Sequence, residues 1–310
     1  RDRELEAGSH IRYTIYVILV LFFVVPAGFV LLVVFYLMLG LFAINRSRPA
    51  TINIRFGPQI VFLLIAGGAI TLFTFGTRVY GAEISYKKAL DAGIKNNAQG
   101  LIDNLNAAIS ANPTVDRYHI SASQALFAIA DSLARQKGSN ATDQEREAIS
   151  NYVLDSIKQA KIAIAFNNQR AGNWENLASI YRALVTMVEG IDQLSVQTYN
   201  QAISLDPINP LLRINLGGVH FSAGRYDDAI KSFELAVQAK PDFANAHYNL
   251  AVALREKGDI ARAVAEMEQA LALVVPGTKD YEAAQSELGN LKSKLTSESK
   301  PQVTGTQGET

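Results

Sequence analysis

Residues 210–241 read PLLRINLGGVHFSAGRYDDAIKSFELAVQAKP, and residues 244–276 read ANAHYNLAVALREKGDIARAVAEMEQALALVVP. Leu216-Gly217, Gly224, Ala229 and Ala236 return 34 positions later as Leu250-Ala251, Gly258, Ala263 and Ala270, and Pro241 has a counterpart in Pro276. Within each copy the apolar residues fall at helical spacing: Leu212, Leu216 and Val219 on one segment, then Ile230, Phe233 and Val237 on the next. Each segment carries one apolar stripe, and neither can bury it alone, so the two pack on each other. Ala229 and Ala236 are small enough to let two backbones approach. Gly224 suits a helix end that only glycine adopts cheaply. Pro241 stops the second helix just after Lys240, whose charge suits the negative helix end.

The period of 34, with small residues so placed, resembles the tetratricopeptide repeat. Its pattern of Trp-x2-Leu-Gly-x2-Tyr, Ala-x3-Phe and Pro is met by Leu216, Gly217, Ala229, Phe233 and Pro241, and departs at Arg213 and His220, where Trp and Tyr are usual. Trp174-x2-Leu177-Ala178-x2-Tyr181 supplies the missing aromatic signature one unit earlier. There Trp174 to Ala202 spans 28 residues where the family has 23, so about five residues are inserted near Val185 to Gln193, and a lengthened first helix is expected. The fold class is all-α: N-terminal transmembrane helices, then a solenoid of antiparallel helix pairs. Repeats are expected over 171–209, 210–243 and 244–277, with degenerate pairs over 82–166. Thr142 and Glu145 form a capping-box signal in the latter. A capping helix over 278–296 covers the open end, and the polar tail 297–310 is expected to be disordered.

Composition divides the chain. Charges total 29 basic and 29 acidic; seven basic and three acidic residues precede Ala82, which leaves 22 and 26 after it. A mildly acidic helical domain without a basic stripe is a poor nucleic-acid binder. There is no cysteine, hence no disulfide and no thiolate metal site. A polar segment 1–10, opening abruptly on Arg1-Asp2-Arg3-Glu4, reads as a fragment of a longer or processed protein. The apolar run 11–44 exceeds the roughly 20 residues that cross a bilayer. Pro26-Ala27-Gly28 near its middle leaves two readings, one kinked span or a hairpin of two short helices. The connection 45–57 carries Arg46, Arg48 and Arg55 and no acid, the mark of a cytoplasmic loop. The segment 58–80 is a further span, with Gly67, Gly68 and Gly76 for close helix contact. The repeats then lie outside the cytoplasm, on a protein integral to a membrane, the bacterial cytoplasmic membrane being expected. Asn140-Ala141-Thr142 reads as a glycosylation sequon only within a eukaryotic secretory route.

No catalytic constellation appears. His10, His119, His220 and His247 are far apart with no i,i+4 pair, no glycine-rich phosphate loop follows a strand, and carboxylates are scattered. No cofactor or metal is expected, and His220 and His247 read as hydrogen-bonded packing residues. What the family resemblance implies instead is a groove lined by the first helix of each pair. It assigns to that groove Glu175, Asn176, Ser179 and Arg182; then Leu211, Ile214, Asn215, Gly218 and Phe221; then Asn245, Tyr248, Asn249, Val252 and Arg255. Asn176, Asn215 and Asn249 recur at one repeat position, either to hydrogen-bond an extended peptide or to cap local structure. The Lys and Asn of the family's carboxylate clamp are replaced by Glu175/Ser179, Ile214/Gly218 and Tyr248/Val252, so that ligand class is not supported. The mixed groove suits a partner helix or extended segment. Two functions are expected: a membrane-anchored scaffold recruiting a protein or peptide, or the non-catalytic tail of a larger transferase. The second follows from a looser resemblance. The order of spans, the junction 82–90 and the repeat sequences 173–177 and 202–210 look like the C-terminal part of bacterial O-antigen ligase or polymerase-like polytopic proteins, which implies glycan-assembly machinery as a partner.

Overall fold

A computed structural model describes the backbone of residues 57–298 and the side chains of residues 65–297. The expected segments 1–10 and 11–44, the loop 45–57 up to residue 56, and the tail 297–310 beyond residue 298 lie outside the described residues; Gly57 opens a helix and residues 297–298 close one. The chain divides into two compact units, Arg1–Ile70 and Thr71–Thr310, and the second unit holds the helical array.

Helix follows helix, and no strand occurs among the described residues. The helices are α1 (Gly57–Ile94), α2 (Ala98–Ala111), α3 (Asp116–Lys137), α4 (Asp143–Phe166), α5 (Ala171–Ala183), α6 (Ile191–Leu205), α7 (Pro210–Ser222), α8 (Tyr226–Ala239), α9 (Ala244–Lys257), α10 (Ile260–Leu273) and α11 (Lys279–Glu298). Their ends are written locally. Asn97 Oδ1 accepts from the Gly100 N–H at 2.9 Å and opens α2. Thr142 and Glu145 close a reciprocal capping box on α4, as their spacing predicts. Asn209 Oδ1 caps α7 beside Pro210 in the first turn. Gly224 and Gly258 take φ of 71° and 89°, the left-handed turn that separates the two helices of a pair.

Each helix from α2 onward packs on the next, and the first helices of successive pairs also touch: α3 meets α5, α5 meets α7 and α7 meets α9. The core is correspondingly a row of joined clusters. Ala178, Tyr199, Leu216 and Val219 form one, and Ile214, Phe233, Leu250, Leu254, Met267 and Leu291 belong to the next. This is the all-α repeat array expected from the 34-residue period.

One expectation is corrected. The inserted residues do not lengthen the first helix of the 171–209 unit: α5 ends at Ala183 and has 13 residues, as does α7. The extra chain forms a hydrogen-bonded turn instead, with Val185 N–H on Arg182 O and Met187 N–H on Leu184 O. As for the expected span at 58–80, helix α1 does run through it, but among the described residues no helix is long and apolar enough to cross a membrane. Over the described part of α1, Thr71, Thr74, Thr77 and Arg78 interrupt the apolar residues.

Candidate functional site

The face made by the first helices is built on one repeated anchor. At the fourth residue of α3, α5 and α9 stand His119, Trp174 and His247, and each turns a ring nitrogen to the carbonyl six residues earlier. His119 Nε2 lies 2.8 Å from Pro113 O, Trp174 Nε1–H donates to Asn168 O at 2.8 Å, and His247 Nε2 lies 2.9 Å from Pro241 O. The second nitrogen of each histidine meets the following helix, at Gln159 Oε1 and Glu266 Oε2, both 2.7 Å away. These bonds fix how far each first helix is rotated, and so which residues face outward. His247 thereby has the packing role its position implies. At the same position of α7, Arg213 makes no such bond, and its Nη1 is buried without a partner.

On that frame the expected groove residues separate into three sets. Phe221, Tyr248 and Val252 are half-buried and rest together on the core of the last pairs. Leu211 and Asn245 are exposed, and Asn215 is half-exposed with no side-chain hydrogen bond. These form the available surface, with Ser179, Glu175 and Arg182 beside them on α5. Asn249 caps its own helix locally, donating to Asn245 O at 2.7 Å. Arg255 is taken up by Glu256 and by Glu287 on α11.

Two of the expected groove residues point inward instead. Ile214 is buried in the core. Asn176 is buried and donates to Ser123 Oγ of α3 at 2.9 Å, so its amide joins helices and does not meet a ligand. The reason is local. Position eight of the preceding first helix is a serine for Asn176 only; for Asn215 and Asn249 it is Ala178 and Gly217. Ser123 in turn meets Ser156 of α4, which donates to the Ser123 carbonyl at 2.8 Å.

Electrostatics distinguish one part of this face. Burial, with Asp206 nearby, pushes the Glu175 carboxyl above its ordinary range. Burial pushes the Tyr199 phenol up to about 12, against a smaller opposing pull from Arg182. Tyr199 belongs to α6, a second helix, which is why a reading confined to first helices passes over it. Among the described residues no group of three or more His, Cys, Asp or Glu is placed to hold a metal ion.

Comparison with known proteins agrees with the repeats. Residues 217–258 match the family described as TPR repeat, and residues 244–273 the one described as tetratricopeptide repeat. The chain is 32% identical over 82 residues to a tetratricopeptide repeat and J domain-containing co-chaperone of Cryptococcus neoformans, covering 26% of this chain and 16% of that protein. It is 39% identical over 75 residues to the Hsp70-Hsp90 organizing protein of Triticum aestivum, covering 24% and 13%. The chain thus spans only a small fraction of the length of these two relatives. Among solved structures, the MamA protein superposes with a TM-score of 0.45 at 20% identity, covering 62% of this chain and 91% of that one. A thermophilic TPR protein of Thermus thermophilus gives 0.46 at 16% identity, covering 68% and 99%.

Proposed function

We propose that the tetratricopeptide repeats carried by residues 217–273, together with the helix pairs before them, form a scaffold that holds an extended or helical segment of another protein along the faces of α5, α7 and α9. One observation carries this reading. Phe221, Tyr248 and Val252, from two successive first helices, rest half-buried on one core cluster, and the half-exposed Asn215 amide of the same helix set is engaged by no internal group. Apolar side chains together with unused hydrogen-bonding groups are what a partner segment requires for anchoring and orientation. Photo-crosslinkers placed in turn at Tyr248 and at Leu235, an exposed residue of α8, test it. Recovery of one partner from position 248 alone supports the reading; equal recovery from both positions, or recovery from position 235 only, sinks it.

The tether belongs to the same proposal. The 34-residue apolar run 11–44 and the arginines of 45–57 support a membrane-anchored chain with its repeats outside the cytoplasm. Protease access to a tag at residue 310 in intact cells tests the sidedness, and release of the intact chain into the aqueous fraction without detergent counts against the anchor. A second reading, in which these repeats are the tail of a larger glycan-transferring membrane enzyme, is supported by the order of apolar segments and repeats alone. The upstream coding sequence tests it: further spans favour it, and a short soluble leader ends it.

A further inference from the structure

Arg117, Arg182 and Arg255 stand on first helices, and the first and last of them are neutralised by a carboxylate of the neighbouring first helix. Arg117 of α3 pairs with Glu83 of α1, and Arg255 of α9 pairs with Glu287 of α11. Arg182 of α5, between them, has no carboxylate partner among the described residues. The residue it meets on α7 is Gly218, and its Nη1 lies 3.6 Å from where a Cβ of Gly218 would stand. The floor is therefore open there. Tyr199, fully buried among Ala178, Leu216 and Val219 of the same two helices, has a hydroxyl with no hydrogen bond of normal geometry; the Arg182 guanidinium bears on it as a charge and a weak donor, but no group accepts its O–H. Arg182 and Glu175 are the charged groups that bear on this hydroxyl. A buried O–H without an acceptor is costly unless something supplies one.

We propose that Arg182 and Tyr199 form a carboxylate subsite, which takes an aspartate or glutamate side chain of the partner segment while an adjacent aliphatic or aromatic residue rests on Phe221, Tyr248 and Val252. The inference rests on the groove reading above and specifies its ligand. A planar guanidinium offers two parallel N–H groups to a carboxylate, and charge-assisted bonds of this kind are the strong ones. The exposed Arg182 side chain is the movable cover: as it swings up to meet the incoming carboxylate, the phenol below gains the acceptor it lacks. Glu175 is the opposing charge. Half-buried and close to Asp206, it has its carboxyl raised above the ordinary range. The subsite uses neither of the two helix positions of the family's clamp, which here hold Glu175 and Ser179.

The test is selection of random dodecapeptides displayed on phage against the full chain in detergent micelles. Selected peptides are then resynthesised with Glu or Gln, or Asp or Asn, at the enriched acidic position. We expect the acid form to bind about tenfold tighter than the amide or better, the fold-change of one charge-assisted contact. Arg182→Gln, at an exposed site, should bring the ratio close to one while leaving the apolar preference intact. Tyr199→Phe should lower the ratio several-fold with little change in the melting temperature, because the phenol O–H has no acceptor to lose. Binders showing no acid preference, or a preference that survives Arg182→Gln, overturn the subsite and leave the groove standing. Absence of any binder overturns the groove reading, and the subsite with it.

Discussion

Gly217 of α7 sits so close to Phe233 of α8 that a Cβ on it would fall 2.5 Å from Cε1 and 2.7 Å from Cδ1 of the ring. The ring is itself buried and has nowhere to retreat. Intrinsic helix preference would make Gly217→Ala stabilising by about 1 kcal/mol. Overpacking of a filled core costs about 1–3 kcal/mol, so the substitution should lower stability in urea unfolding. One repeat later the same two positions hold Ala251 and Met267, both buried. Adding Phe233→Met to Gly217→Ala should therefore recover most of the loss, and a double variant no better than the single one contradicts this account of the contact.

The anchor missing from α7 gives a stabilising change. Arg213 has a buried, unpartnered Nη1 where Trp174 donates an indole N–H to a loop carbonyl. Small hydroxyl residues, Thr198 and Ser232, occupy the corresponding second-helix positions of the two pairs, leaving similar room. Arg213→Trp should raise stability by about 1–2 kcal/mol, through a regained hydrogen bond and relief of an unsatisfied donor. A lowered urea midpoint would show that the indole does not fit.

Asp116, at the start of α3, ties that helix to the start of α5. Its Oδ2 accepts from Asn173 Nδ2 at 3.0 Å and Asn167 Nδ2 at 3.2 Å, and it pairs with Arg170. Partial burial raises its carboxyl, but the Asn173 bond and the Arg170 charge outweigh that and leave it below the ordinary range. The stabilisation is then complete above about pH 4, the unfolded value, and is lost as pH falls through the lower folded value. In urea melts between pH 3 and pH 7, Asp116→Asn should flatten the acid limb. An unchanged acid limb rules this role out.

Glu175 has the opposite sign. Its carboxyl is raised by burial and by Asp206, so the fold favours its protonated form, and that contribution fades as pH rises through the folded value. Glu175→Gln should accordingly raise the melting temperature at pH 7 and change it little at pH 4. Equal effects at both values would point to a packing role.

The features legible in the sequence are those in which a residue acts on its own neighbours. Gly224, Gly258, the Thr142–Glu145 box and the 34-residue offset all express local backbone preferences. The insertion reads as helix because Leu184, Val185, Met187 and Val188 keep enough apolar character to prolong a helical pattern, with no Gly or Pro before Gly190. Burial of Asn176 depends on Ser123, 53 positions away on α3, in a pair too degenerate to give a register from its sequence. Tyr199 carries no local signal for a related reason: only the assembled pairs reveal that its hydroxyl is buried within reach of the charges of Arg182 and Glu175.

In the turn over 184–190, Leu184 and Val185 rest against the core while residues 186–190 are exposed, Met187 largely so, and the helices on either side keep their usual length. Extra chain at the exposed end of this elbow, past Leu184 and Val185, therefore adds little to the packing between pairs. A reporter peptide or a small fluorescent domain spliced between Val188 and Glu189 should leave the array assembled and its ligand surface in place, which makes the elbow a natural handle for watching this protein at work.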